Sequence, residues 1–170
     1  ITPAQRALVR GVDLIAQRRE TEAIGYLEGL ARDARDAPEV LYALGEARWH
    51  AQRYEEGAAT LERAFLADPM WQMALHHVLE LRLSRGEGTQ LAPIATKLRV
   101  ADPPAAVALD CKIAISRRDY AGAVAMTQKA IAGVDAIADI YLCLSHAQTL
   151  VGDLDGAQAT AKRAFELWPI

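Results

Sequence analysis

Large apolar residues such as Leu41, Leu44 and Leu61 alternate along this chain with columns of small ones, and polar breakers interrupt both at regular intervals. Pro38, Pro69, Pro103-Pro104 and Pro169 mark one kind of corner. Gln17-Arg18-Arg19, Gln52-Arg53-Tyr54, Arg85-Gly86-Glu87-Gly88, Arg117-Arg118-Asp119 and Gly152-Asp153 mark the other. The segments between them run to roughly 12–14 residues, the ordinary length of a globular helix. The first opens on Thr2-Pro3-Ala4-Gln5, which reads as an N-cap Thr, a proline at the first helical position and a Gln three residues after the cap. β-Branched runs with period-two alternation are missing. The expected fold is all-α.

The corners repeat. Gly11, Gly45, Leu79, Cys111 and Ser145 follow one another at steps of 34, 34, 32 and 34 residues. Ala23, Gly57, Leu91, Ala123 and Ala157 keep the same steps, as do Leu30, Ala64, Leu98, Ala130 and Ala164. Leu41, Leu75, Val107 and Tyr141 form a fourth column, and Pro69, Pro103, Asp135 and Pro169 fall in phase with it. One shortened interval, between Pro103 and Val107, accounts for every column; there two prolines tighten the corner. Small residues in such columns let paired helices approach closely, and larger ones fill the space between. Each unit is then a helix hairpin whose apolar face is too large to cover alone, so stacked units share one continuous core.

Composition narrows the function classes. The chain has 170 residues, 52% hydrophobic and 24% charged, at net charge −3. That is enough apolar mass for a core and too little imbalance for a disordered segment. Mild acidity argues against a nucleic-acid binder, which carries a basic excess. No stretch of about 18 apolar residues appears, so no membrane span is expected. Two cysteines exclude a disulfide framework or a zinc ribbon. Cys111 and Cys143 lie on successive first helices and could approach each other; Cys111 sits in the small-residue column, which favours a buried, inert thiol. The chain opens at Ile1 without a start Met or a signal sequence, which reads as a piece of a longer protein.

The columns resemble the tetratricopeptide repeat family. Leu41, Leu44, Gly45, Tyr54, Gly57, Leu61, Ala64 and Pro69 carry the likeness best, and Tyr141, Leu144, Ser145, Leu154, Ala157, Ala161, Ala164 and Pro169 repeat it. It extends over five units, near 4–37, 38–71, 72–103, 104–137 and 138–170, as a single domain. The first and third are degenerate; His77 and Leu79 replace the usual pattern in the third. The resemblance implies a right-handed α-solenoid of five hairpins, about ten helices. The stretch from Leu41 to Pro69 also looks like repeat regions of bacterial multidomain signalling proteins, such as serine/threonine kinases and winged-helix regulators.

The resemblance further implies that the first helix of each unit lines a concave groove. Residues three and four apart share a helix face, which gives inner stripes of Glu39, Tyr42, Glu46, Trp49 and His50; Met73, His76, Glu80 and Leu83; Ala108, Lys112, Ile115 and Ser116; and Asp139, Leu142, His146 and Thr149. An exposed aromatic flanked by charges suits a peptide groove, the ring supplying desolvation and the charges setting register. Tyr42, Trp49 and His76, with Met73, His50, Glu46, Glu80, Lys112 and His146, are therefore the expected contacts for a protein or peptide partner. The competing reading is that Trp49 and Tyr42 pack on a neighbouring hairpin. A carboxylate clamp is not expected, because the chain has no Asn and Lys112 is the lone lysine on the stripes.

No catalytic residues, cofactor or metal are expected. Glu46 with His50, and His76 with Glu80, are spaced as ligands could be, but such pairs are more often simple helix contacts, and no third ligand is dictated by sequence. Gly86-Glu87-Gly88 lacks the strand and the Lys-Ser/Thr pair of a phosphate loop and reads as a lengthened elbow. The arginine pairs Arg18-Arg19 and Arg117-Arg118 read as solvated elbow charges. The expected function is a non-enzymatic scaffold or docking module, with the compartment left open and the cytoplasm favoured; the alternative is a sensory region answering a small ligand or pH through its histidines. Trp168, in the final Phe165–Ile170 stretch, is the candidate for covering the last hairpin, by more chain or by self-association.

Overall fold

The computed structural model describes residues 3–33, 37–133 and 136–168. Thr2, Asp135, Pro169 and Ile170, which entered the capping and proline readings above, lie outside the described residues. Among those described there are ten α-helices and no strand: α1 (Pro3–Ala16), α2 (Glu20–Asp33), α3 (Pro38–His50), α4 (Tyr54–Ala67), α5 (Leu75–Ser84), α6 (Ala92–Ala101), α7 (Pro103–Ser116), α8 (Tyr120–Ile131), α9 (Ala138–Val151) and α10 (Leu154–Leu167). The chain forms two compact units, Ile1–Leu81 and Arg82–Ile170, and the division falls inside α5.

All five elbows have the same backbone. Arg18, Gln52, Gly86, Arg118 and Gly152 hold φ between 59° and 85°. Around each, two reverse bonds close the preceding helix. The N–H of Arg19, Arg53, Glu87, Asp119 and Asp153 donates to the carbonyl five residues back, at 2.8–3.0 Å, and the N–H of the positive-φ residue donates to the carbonyl three back. This is the Schellman arrangement, which satisfies carbonyls that the helix end would otherwise leave bare. Glycine adopts the required backbone freely; Arg and Gln do so against a steric cost of about 1–2 kcal/mol. The next residue then starts the return helix. Asp119 and Asp153 cap theirs by accepting from Gly122 N and Gly156 N, both at 3.0 Å. Arg19 and Arg53 instead pair with Glu22 and Glu56 one turn on, at 2.6 and 2.7 Å. The Arg19 guanidinium holds the Glu22 carboxyl below its ordinary range. Arg19 is thus engaged within its own elbow.

The third hairpin departs from the expectation of a lengthened elbow. Its positive-φ residue, Gly86, keeps the common spacing, and it is the helix starts that differ. Gln72–Ala74 and Gly88–Leu91 are 3-10 turns, and neither is preceded by a side-chain cap. The α-helical parts of α5 and α6 therefore shorten to ten residues each. Between α6 and α7 the corner is a single residue. Asp102 closes α6 with its N–H and caps α7 by accepting from Ala105 N at 3.0 Å, and the two prolines follow immediately.

Packing within each unit follows the small-residue columns. Ala23, Gly57, Leu91, Ala123 and Ala157 are all buried. In the first unit a Cβ on Gly45 would stand 2.5 Å from Leu61 Cγ, and one on Gly11 would stand 2.5 Å from Leu27 Cδ2. Leu27 and Leu61 are fully buried, so neither can move aside; each contributes about 1.5–3 kcal/mol by leaving water. In the second unit Ser145 uses the same column differently, donating from Oγ to the Ala157 carbonyl on α10 at 2.8 Å. Polar ties join the layers. Arg48 on α3 donates to Glu28 on α2 and to Thr60 on α4, at 2.8 and 2.6 Å. Arg99 on α6 donates to both carboxylate oxygens of Asp110 on α7 at 3.0 Å.

Two substitutions separate these constraints. Gly45→Ala should lower stability by about 1–3 kcal/mol through overpacking, whereas Gln52→Gly should raise it by about 0.5–1 kcal/mol by relieving the positive φ. Urea unfolding of both variants checks the pair; a neutral Gly45→Ala would remove close approach as the packing constraint.

Candidate functional site

The candidate residues fall into two groups, one in each compact unit. In the first, the stripe of α3 meets the start of α5. The Trp49 ring stacks on His77, with centroids 4.2 Å apart and planes 14° from parallel, and it meets Tyr54 edge-on at 4.9 Å. The Tyr42 ring lies 5.4 Å from that of Trp71. Both aromatics are half-buried, so each has a packing partner and an accessible remainder. Glu46 lies between two imidazoles, 4.0 Å from His50 Nε2 and 3.7 Å from His77 Nε2. Partial burial first, and the Glu46 charge second, push the Tyr42 phenol above its ordinary range.

The sequence places His76 on the inner stripe and leaves His77 off it. The structure puts His77 at the centre of this group, against Trp49, Glu46, His76 and Glu80. Helical spacing within α5 does not give that position; the contact is set by how α5 lies on α3. Met73 is exposed on the 3-10 turn that precedes α5, rather than on a helix face. His76 and Glu80 are exposed and His50 is exposed at the end of α3.

The second unit contains a cleft of about 410 Å³. Leu83 of α5, Lys112, Ile115 and Ser116 of α7, and Asp139, Leu142 and His146 of α9 line it, together with Cys143. The first seven are the residues that the stripes of the third, fourth and fifth hairpins named. Lys112 and Ile115 are half-buried, while Asp139, Leu142 and His146 are exposed. The lining combines apolar side chains with the cation of Lys112 and the anion of Asp139. A second cavity, of about 390 Å³, is lined by Leu142, Ala164, Phe165 and Trp168. Phe165 is 75% exposed and Trp168 53%.

The cysteines correct the thiol expectation. Cys111 and Cys143 form a disulfide joining α7 to α9, with Cα atoms 6.3 Å apart across 32 residues of sequence. Burial in the small-residue column is as expected, since Cys111 is fully buried with Ala123 and Ala147. α7 and α9, first helices of successive hairpins, pack side by side, which brings the two sulfurs together at the wall of the cleft. Closing a loop of this length contributes about 2–4 kcal/mol. Cys143→Ala should therefore lower the thermal midpoint, and reductant should lower the wild-type midpoint toward it. Identical melts with and without reductant would count against the bridge.

No family model matches the sequence, and no curated protein matches it. Solved structures do. The chain is similar to MamA (41-end) from Desulfovibrio magneticus RS-1 with a TM-score of 0.64 at 19% identity, covering 96% of this chain and 94% of that one. It is similar to TTC0263, a thermophilic TPR protein of Thermus thermophilus, with a TM-score of 0.57 at 18% identity, covering 98% and 92%. MamA MSR-1 C2 gives 0.52 at 18% identity, covering 96% and 95%. At such identities the likeness speaks for architecture. The five elbows, the small-residue columns and these neighbours together show a tetratricopeptide-like fold of the all-α solenoid class.

Proposed function

We propose that the chain is a non-enzymatic protein-recognition module and that a partner segment binds in the cleft of the second unit. The cleft carries the reading: three apolar side chains (Leu83, Ile115 and Leu142) share a space of about 410 Å³ with Lys112 and Asp139. An apolar anchor from a partner would lose water on those side chains, and the two charges would select its flanking groups and set its register. The fitting segment has one aliphatic or aromatic side chain with an acidic group toward Lys112 and a basic group toward Asp139. The shared architecture of the TPR protein supports a scaffold role. The Cys111–Cys143 bridge supports placing the chain where disulfides persist, in an oxidising compartment rather than the cytoplasm.

A second surface supports self-association. Phe165 and Trp168 present an apolar face next to Leu142, of the kind that monomers rarely leave open. Sedimentation of wild type and Phe165→Glu reads this directly: the wild type should be the heavier species, and two equal masses would dismiss it.

The partner reading is tested with peptides selected from a displayed library on the intact chain. Leu142→Ala and Lys112→Glu should each weaken the selected peptides by about 1–3 kcal/mol, measured by calorimetry, while Met73→Ala in the other unit should leave affinity unchanged. If the cleft variants bind as tightly as wild type, partner recognition lies elsewhere.

A further inference from the structure

We propose that His76, His77 and Glu80 form a binding site for a single zinc-type divalent metal ion, with an open coordination position. The site stands on the first unit alone and does not depend on the partner cleft. Among the described residues, these three bring one ligand atom each to within 4.8 Å of one another. Zinc held at about 2.0–2.2 Å from each ligand needs those atoms about 3.3 Å apart. The difference is within reach of side-chain rotation, because His76 and Glu80 are exposed and free to swing toward the ion.

His77 supplies the fixed element. Its ring is stacked on Trp49, and its Nε2 faces the Glu46 carboxylate at 3.7 Å. With a metal ion on Nδ1, the ring would carry its proton on Nε2, toward that carboxylate. Nδ1 is buried and makes no hydrogen bond, although Glu80 Oε2 stands 3.5 Å away. A carboxylate behind one imidazole nitrogen, with the other nitrogen unsatisfied and aimed at two further donors, is the arrangement that orients a metal-binding histidine. Two imidazoles and one carboxylate form a donor set that zinc accepts with a fourth position left for water or a ligand from outside. All three ligands stand on α5; the orienting Glu46 comes from α3.

The test is a zinc titration of the tag-free full chain near neutral pH, by calorimetry and by competition with a chromogenic chelator. The wild type should bind one ion per chain with micromolar affinity. His76→Ala and Glu80→Gln should each weaken binding at least about tenfold, and Glu46→Gln, which removes only the orienting carboxylate, about tenfold or somewhat more. His146→Ala, in the other unit, should bind as wild type. All four positions are exposed or half-buried, and circular dichroism confirms that the variants fold. Absence of saturable binding below about 100 µM zinc, or unchanged affinity in both His76→Ala and Glu80→Gln, would overturn the proposal.

Discussion

Each hairpin turns on one residue held at positive φ, and the rest of the architecture depends on that constraint. With the reverse bonds of the Schellman arrangement in place, each elbow closes one helix and begins the return within three residues, through the 3-10 turn Gly88–Leu91 in the third hairpin. Within each compact unit this elbow geometry sets paired helices such as α3 with α4, and α9 with α10, face to face. The columns of small residues are meaningful only in that arrangement. That three elbows tolerate Arg18, Gln52 and Arg118 where glycine would be easier shows how strongly the surrounding packing imposes the turn.

Close approach then decides what remains on the surface. Once Gly45 and Gly57 bring α3 and α4 together over Leu61, the apolar side of α3 is consumed inward, and its polar stripe is left facing out. The same logic in the second unit leaves Lys112, Ile115, Leu142 and His146 around a cleft. The cleft is thus a by-product of how the core is filled, with the disulfide fastening α7 to α9 beside it. The cluster of His76, His77 and Glu80 arises in the same way. Trp49 is large enough to lie over His77, and that stack turns one imidazole edge toward Glu46 and the other toward His76 and Glu80.

Legibility differs from residue to residue. The stripes on α7 and α9 are readable because spacing along a regular helix directly fixes which side chains share a face. Met73 falls off the helix that its spacing suggests because an uncapped helix start tightens into a 3-10 turn, and nothing in the composition of Trp71–Ala74 announces that. His77 escapes a stripe reading because it lies about a hundred degrees around α5 from His76, and only the neighbouring helix makes that side important. The disulfide is hidden for a related reason: a column position says a thiol is buried without saying what is buried beside it.

By itself the sequence determined the helices, the elbow positions and the small-residue columns. These follow from local backbone chemistry and from a period repeated often enough to outweigh its degenerate copies. Tertiary structure alone decided which side chains from different helices meet: Cys111 with Cys143, Trp49 with His77, and Glu46 behind the imidazole that faces Glu80. The physical reason is that such contacts depend on the rotation and offset of one helix on another. Those are settled by the sum of many buried contacts rather than by any spacing written along one segment.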